Sequence, residues 1–351
     1  MYNLKFFKGK KIFITGHTGF KGSWLTYILY LSGAKIAGLS LKPKNKFDNF
    51  YLLNLDKKVQ NFYFDIRDHK TLYGKIKKFK PDIIFHLAAQ PLVKESYNNP
   101  KFTFTTNIVG TMNILEILRE VDFVKSAIII TSDKCYKNYE KKTGYSETDE
   151  LGGEDPYSAS KAAAENVFNS YLKSYFKNKK KIGLASVRAG NVIGGGDWSK
   201  DRIVPDLLKS IILKKKFIIR SPKSTRPWQH IFDLLNGYLI LSEKSYGNNN
   251  FNGSWNFGPN ENNITVYEVI SKLIKILGVN KKIFIKDDKK IKESGLLSLK
   301  VNKSKKYLKW KPKLSFYETL KITSEWYSSY INNKKDIEKV SKKQLETFFY
   351  D

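Results

Sequence analysis

The chain has 351 residues, a formal net charge of +30 from 63 lysines and arginines against 33 acids, 41% hydrophobic content and one cysteine. A chain of this length buries a core that needs no staple, so the lone Cys135 excludes an intramolecular disulfide framework, and four scattered histidines offer no zinc module. Six of the cations are arginines, and the lysines are dispersed in short runs such as Lys214–Lys216; the charge reads as a solvated surface, not a nucleic-acid or membrane-binding patch.

In chain order, Lys11–Thr15 is a short apolar run that predicts a strand, followed by a helical period over Phe20–Ser32 and a strand over Lys35–Ser40. A strand at Phe62–Asp65, a helix near Asp68–Phe79, a strand at Ile83–Leu87 and a long helix near Pro100–Glu120 come next. Strands at Ala127–Ser132 and Leu184–Ala189 enclose a loop and the helix Tyr157–Phe176. This alternation predicts an α/β fold, a doubly wound parallel sheet of Rossmann type whose strands are apolar throughout because both faces are covered.

Beyond Ala189 the alternation breaks. A helix over Arg202–Lys214, a strand at Phe217–Arg220 and the segments Thr265–Leu277, Ile283–Lys286 and Phe316–Ile331 suit a smaller α+β unit. A helix near His230–Glu243 and a strand near Trp255–Phe257 return to the sheet, and the charged end, Lys334–Asp351, is expected at the periphery. The longest apolar stretch, Trp24–Leu31, falls far short of the ~20 residues that cross a bilayer, so the sequence reads as a soluble cytoplasmic protein.

Three motifs carry chemistry. Gly16, Gly19 and Gly22, in the string Thr15-Gly-His-Thr-Gly-Phe-Lys-Gly22, lie between a strand and a helix. Glycines there permit a tight turn, close approach of a pyrophosphate and packing of helix on strand. The second strand ends without the acid that grips an adenosine ribose, and Lys42 beyond it leaves NAD and NADP both open. The second motif, Thr131-Ser-Asp-Lys-Cys-Tyr136, ends a strand at the carboxyl edge of the sheet, where ligands bind in such folds. In the third, Tyr157 and Lys161 stand four apart on one helix face. A nearby ammonium and a nicotinamide's charge lower a phenol pKa toward neutrality, which makes Tyr157 a general base.

With Asp65-Ile-Arg-Asp68 and His86-Leu-Ala-Ala89, these strings resemble the extended short-chain dehydrogenase/reductase family of NAD-dependent epimerases and dehydratases, over most of residues 10–330. The longer strings Gly16–Trp24, His86–Val93, Thr131–Tyr136, Arg188–Trp198 and Arg226–His230 resemble its CDP-glucose 4,6-dehydratase branch. The resemblance implies an NAD-binding Rossmann domain over residues 1–189, rejoined by 229–260. A sugar-nucleotide-binding domain of 190–228 and 261–331 and a charged C-terminal tail, 332–351, follow. Bound NAD would meet Gly16, Gly19, Phe20, Lys21 and Gly22 at the pyrophosphate and Asp65 and Ile66 at the adenine. Leu87, Ala88, Ala89 and Gln90 would line its channel, with Thr106, Tyr157 and Lys161 completing the set.

By the same resemblance, catalysis falls to Ser132, Asp133, Lys134, Tyr157 and Lys161. Tyr157 takes the proton of the sugar 4-hydroxyl and Asp133 protonates the departing C6 hydroxyl. Lys134 stands where many relatives carry glutamate; it is either the C5 base or a group that orients Asp133 or stabilises the enolate. Asn191, Asp197, Trp198, Arg202, Arg226 and His230 would hold the nucleotide sugar, CDP-glucose in that branch. Four of the six arginines lie between residues 188 and 226, where planar, multi-donor groups suit a diphosphate. The alternatives are a dehydratase or epimerase of dTDP-, GDP- or UDP-linked sugars, and a non-catalytic NAD-binding regulator. The family also implies a homodimer or homotetramer, paired through the helices near Pro100–Glu120 and Tyr157–Phe176; no metal, membrane or nucleic-acid partner is expected.

Overall fold

Continuous apolar runs set the architecture of the computed structural model, which describes residues 4–43, 45–176, 181–261, 264–286 and 296–350. Lys11–Thr15 (β1), Lys35–Ser40 (β2), Gln60–Tyr63 (β3), Ile83–His86 (β4), Ser126–Ile130 (β5), Gly183–Ala189 (β6) and Gly253–Phe257 (β7) form one sheet in the order β7-β6-β5-β4-β1-β2-β3, with every pairing parallel. Strand order reverses where β1 pairs with both β2 and β4, which opens a crevice at the carboxyl edge of the sheet.

Alternate residues of β1 serve two cores. Ile12 and Ile14 join Trp24, Leu25 and Ile28 of the helix Phe20–Leu31 (α1), whereas Phe13 joins Leu72 and Ile76 of His69–Phe79 (α2) and Ile114 and Leu118 of Gly110–Glu120 (α3). Both faces are therefore dry, as the unbroken apolar strands require. The long helix expected over Pro100–Glu120 contains a π turn at Thr105–Val109. Within that turn Asn107 reaches back to Gln90, accepting from its N–H at 2.8 Å and donating to its carbonyl at 3.2 Å.

The helix Pro156–Tyr171 (α4) packs beside α3, and β6 follows it. After β6 come Ile203–Ile212 (α5) and Ile231–Lys244 (α6), and β7 then returns to the sheet edge beside β6. Val266–Ile276 (α7) and Phe316–Asn332 (α8) each begin with a capping box, Thr265 with Glu268 and Ser315 with Glu318. Short pairings tie this region together: Phe217–Ile219 with Ile283–Ile285, and Thr225–Arg226 with Ile264–Thr265.

The charged end differs from expectation. Ile337–Tyr350 (α9) is a helix that buries Ile337, Leu345, Phe348 and Phe349, and Trp326 donates to Ser341 at 2.9 Å. Its apolar residues recur at spacings that place them on one face, so lysines and glutamates on the other face conceal an amphipathic helix. Asp351 lies outside the described residues.

Candidate active site

Beyond Thr15 the chain turns at Gly16, which takes φ +77° and donates to Leu39 O at 2.6 Å. A Cβ on Gly16 would stand 2.7 Å from Ala88 N, and one on Gly22 2.0 Å from Gly16 O, so both positions need bare backbone. Gly19 meets nothing nearer than 3.5 Å, so its face is open. There α1 begins with no side-chain cap and no acid in its first turn, which leaves N–H groups and the positive helix end toward that space. This donor set fits a pyrophosphate.

Around the turn, Ala88 N donates to Thr15 Oγ1 at 3.2 Å, and Thr106 Oγ1 is buried with no hydrogen-bond partner among the described residues. Asp65 is committed to Arg67 at 2.8 Å, which holds its carboxyl below the usual range, and Ile66 is buried against Gly110. Gln90 turns its amide into its own loop, bonding Leu92 and Thr103, so it shapes the channel through its backbone. His17 was not anticipated. Its ring fills the notch left by Gly38, bonds Asn61 at 2.9 Å and is kept neutral by burial, with its pKa lowered to about 4. A histidine inside a glycine turn was the available signal.

The candidate catalytic groups are placed by helix capping. Asp155 accepts from Tyr157 N and Ser158 N, both at 3.0 Å, and Pro156 occupies the first turn, which fixes Tyr157 at the head of α4. At the end of β5, Ser132 Oγ donates to Asp133 Oδ1 at 3.0 Å and accepts from Lys134 N at 3.2 Å. Asp133 Oδ2 is buried and has no hydrogen-bond partner among the described residues. Burial raises the Asp133 pKa, against the pull of Lys134 and Ser132, so this carboxyl holds a proton more readily than an ordinary aspartate.

The phenol of Tyr157 behaves differently from expectation. Burial pushes it up to about 12, with the Ser132 hydroxyl drawing it back, and burial pushes Lys161 down to about 8. Desolvation of the phenolate outweighs the cations the chain supplies, and the Lys161 ammonium donates to Ile130 O at 3.4 Å. Lys21 lines the same cavity as Asp133, where burial, then Arg202, lowers it to about 7.

Ser132, Asp133, Lys134 and Tyr157 line one cavity of about 280 Å³ with Asn191, Asp197, Arg202 and Arg226. Arg202 pairs with Asp197 at 3.3 Å, and Arg226 is 6% exposed. Trp198 and His230 are not on its lining. Trp198 packs on Tyr327 and Tyr330, and His230 caps α6 by accepting from Phe232 N at 3.2 Å, neutral because burial lowers it to about 3. Arg188 is also misplaced by the arginine count: it is buried against Glu165 at 2.6 Å, away from the cavity. Arg220 takes part instead. With Lys94 it flanks Asp201 on the lining, at 3.0 and 3.2 Å, and its place in the arginine cluster was the signal.

A parallel sheet with an open glycine turn after β1, and with Ser132 and Tyr157 on one cavity and Lys161 four residues beyond Tyr157 on α4, defines an extended short-chain dehydrogenase/reductase. Residues 13–323 match the family model described as GDP-mannose 4,6 dehydratase, and the chain belongs to that family. It is 40% identical over 354 residues to CDP-glucose 4,6-dehydratase of Salmonella typhimurium, covering 99% of this chain and 98% of that protein. CDP-paratose 2-epimerase of Salmonella typhi is 26% identical over 91% of this chain and 99% of its own length. Among solved structures, dTDP-glucose 4,6-dehydratase of Bacillus anthracis in complex with NAD shares the fold at TM-score 0.78 and 23% identity, covering 93% of this chain and 98% of that one.

Proposed function

We propose that this chain is a CDP-glucose 4,6-dehydratase that uses NAD and forms a 4-keto-6-deoxy sugar nucleotide. The observation that carries the proposal is one cavity lined by a buried Asp133, by Ser132 and Tyr157, and by Arg202 and Arg226. The name of the Salmonella typhimurium relative supports the choice of CDP-glucose.

The glycine turn, Ala88 and Thr106 would hold the cofactor. NAD, when bound, would supply a hydride acceptor for C4, a hydride donor for C6 and positive charge. Tyr157 takes the proton of the 4-hydroxyl, with Ser132 as its hydrogen-bond partner; the Lys161 ammonium, one turn along the same helix face, would stabilise the phenolate. A ketone at C4 acidifies the C5 hydrogen. Asp133, whose hold on a proton burial strengthens, delivers that proton to the departing C6 hydroxyl, which leaves as water. Lys134, on the cavity lining beside Asp133, takes the C5 proton or steadies the enolate. Arg202 and Arg226 hold the diphosphate.

Residues 1–189 with 229–260 would act as the cofactor-binding unit, and 190–228 with 261–331 as the sugar-nucleotide unit. Family resemblance supports a cytoplasmic homodimer or homotetramer; no helix among the described residues is long and apolar enough to cross a membrane. Asp133 favours dehydration over epimerisation, which needs no acid at C6. Incubation of the purified protein with CDP-glucose and NAD should yield a 4-keto-6-deoxy product, and Tyr157→Phe should abolish it. Turnover confined to dTDP-, UDP- or GDP-glucose would overturn the specificity.

A further inference from the structure

Tyr157, Lys161 and Glu165 follow one another at a spacing of four along α4, so they share one face. The first two serve the reaction. Glu165, one turn further, is fully buried, and its carboxylate lies 2.6 Å from Arg188 of β6, whose side chain is 1% exposed. Burial alone would raise the Glu165 pKa; Arg188 outweighs it and holds the carboxylate below the usual range. An ion pair so deep in the protein is weak evidence for stability, because desolvation offsets its attraction. Its partners show where it acts.

Glu165 accepts from Thr131 Oγ1, the residue before Ser132, and from Ser254 Oγ of β7 at 3.1 Å. Arg188 donates to Tyr136 OH at 2.9 Å and to Glu147 O at 3.1 Å, and its guanidinium lies 4.9 Å from the centre of the Tyr136 ring. Tyr136 closes the turn that carries Asp133 and Lys134, donating from its N–H to Asp133 O at 3.2 Å. Two residues beyond Arg188 stands Gly190, against Asp133 Oδ2. The pair therefore joins the helix that carries Tyr157 and Lys161, the turn that carries Asp133, and the strand that leads to Gly190.

We propose that Glu165 and Arg188 are positioning residues for the dehydration, a buried fork that sets the acid turn of Asp133 against the Tyr157–Lys161 face. The proposal rests on the dehydratase reading above. A fork that merely filled space would be replaceable by apolar residues. The neighbours permit that replacement: Thr131 Oγ1 also donates to Val187 O at 3.1 Å, Ser186 Oγ to Ser254 Oγ at 2.9 Å, and Tyr136 OH to Asn256 Oδ1 at 2.8 Å.

The test is the double variant Glu165→Leu/Arg188→Met beside Arg188→Lys, which keeps the charge and loses the fork, each assayed on CDP-glucose. The proposal expects a folded double variant with kcat lower on the order of 10²-fold. It expects KM within about twofold, because Arg202 and Arg226 are untouched, and no rescue by lysine. A folded double variant with kcat within about twofold of wild type overturns it. If the double variant fails to fold, Arg188→Lys decides by the same criteria. Should the wild-type protein not turn over CDP-glucose, the dehydratase reading fails separately. The fork is then judged by amide hydrogen exchange at Cys135 and Tyr136 in Arg188→Lys, where exchange faster by about tenfold supports it and unchanged exchange overturns it.

Discussion

Asp133 Oδ2 lies directly under Gly190: a Cβ built on Gly190 would stand 2.9 Å from that oxygen and 2.3 Å from Pro227 Cγ. The acid, in the turn after β5, is thus held against bare backbone just beyond the neighbouring strand β6. Gly190→Ala must displace either the Asp133 carboxyl or the Arg226–Pro227 segment. Its expected effect is a kcat loss on the order of 10²-fold, the scale of an ångström-sized misplacement of a reacting group. Asp133→Asn separates the steps further. It should still reduce the cofactor in a single turnover with CDP-glucose, while 4-keto-6-deoxy product fails to form. Normal product formation by Asp133→Asn would remove Asp133 from the acid role.

The sheet, and polar groups of the cavity such as Ser132, Asp133 and Tyr157, were legible in the sequence because each depends on local signals. Unbroken apolar runs mark strands covered on both faces, and glycine or Asp-Pro punctuation marks the heads of α1 and α4. What stayed hidden depends on long-range pairing. Arg188 looks like a phosphate ligand until Glu165, 23 positions earlier, is seen against it. Trp198 and His230 sit in strings that resemble the family, yet a resemblance does not say whether a ring reaches the lining of a cavity. The α9 helix was masked by its own charge, since Ile337, Leu345 and Phe348 are separated by enough lysine and glutamate to read as a tail.

Lys161 and Tyr157 together set the pH dependence of activity. Burial lowers the Lys161 pKa to about 8, so it is an ammonium below that pH and neutral above it. Tyr157 stands at about 12, so its phenolate fraction grows tenfold per unit below that value. A reaction that needs the ammonium and the phenolate together should give a kcat–pH profile that rises up to about pH 8 and levels off above it. Lys161→Met should lose on the order of 10²- to 10⁴-fold at neutral pH and show no levelling near pH 8. A wild-type profile that keeps rising tenfold per unit to about pH 10 would sink this assignment.

Asp201 sits between two cations on the cavity lining, Lys94 at 3.2 Å and Arg220 at 3.0 Å, in a left-handed conformation with φ +57°. With a diphosphate bound in this cavity, as proposed above, its carboxylate would compete for both. Asp201→Asn should lower KM for CDP-glucose, and partial exposure limits the gain to about 1 kcal/mol, or about fivefold. Salt screens such a contact, so the advantage should shrink at high ionic strength. A raised KM in Asp201→Asn would show instead that the carboxylate holds Lys94 and Arg220 in the binding geometry.

Asp233 offers a pH dependence of stability separate from catalysis. At the head of α6 it accepts from Lys313 N at 2.7 Å and Leu314 N at 3.3 Å, and burial raises its pKa from 3.8 to about 6. A carboxyl whose pKa is higher folded than unfolded binds more protons in the folded state between the two values. Its favourable contribution is complete below the unfolded value and is lost as pH rises through about 6, a change of about 3 kcal/mol at most. Asp233→Asn cannot titrate, and it keeps one acceptor for the two backbone donors at a cost of about 1 kcal/mol. In urea unfolding, the variant should be less stable than wild type near pH 4 and more stable near about pH 7.5, with the curves crossing between. A stability difference that stays constant over that range would mean that Asp233 is ionised throughout, with Lys313 N and Leu314 N compensating its burial in full.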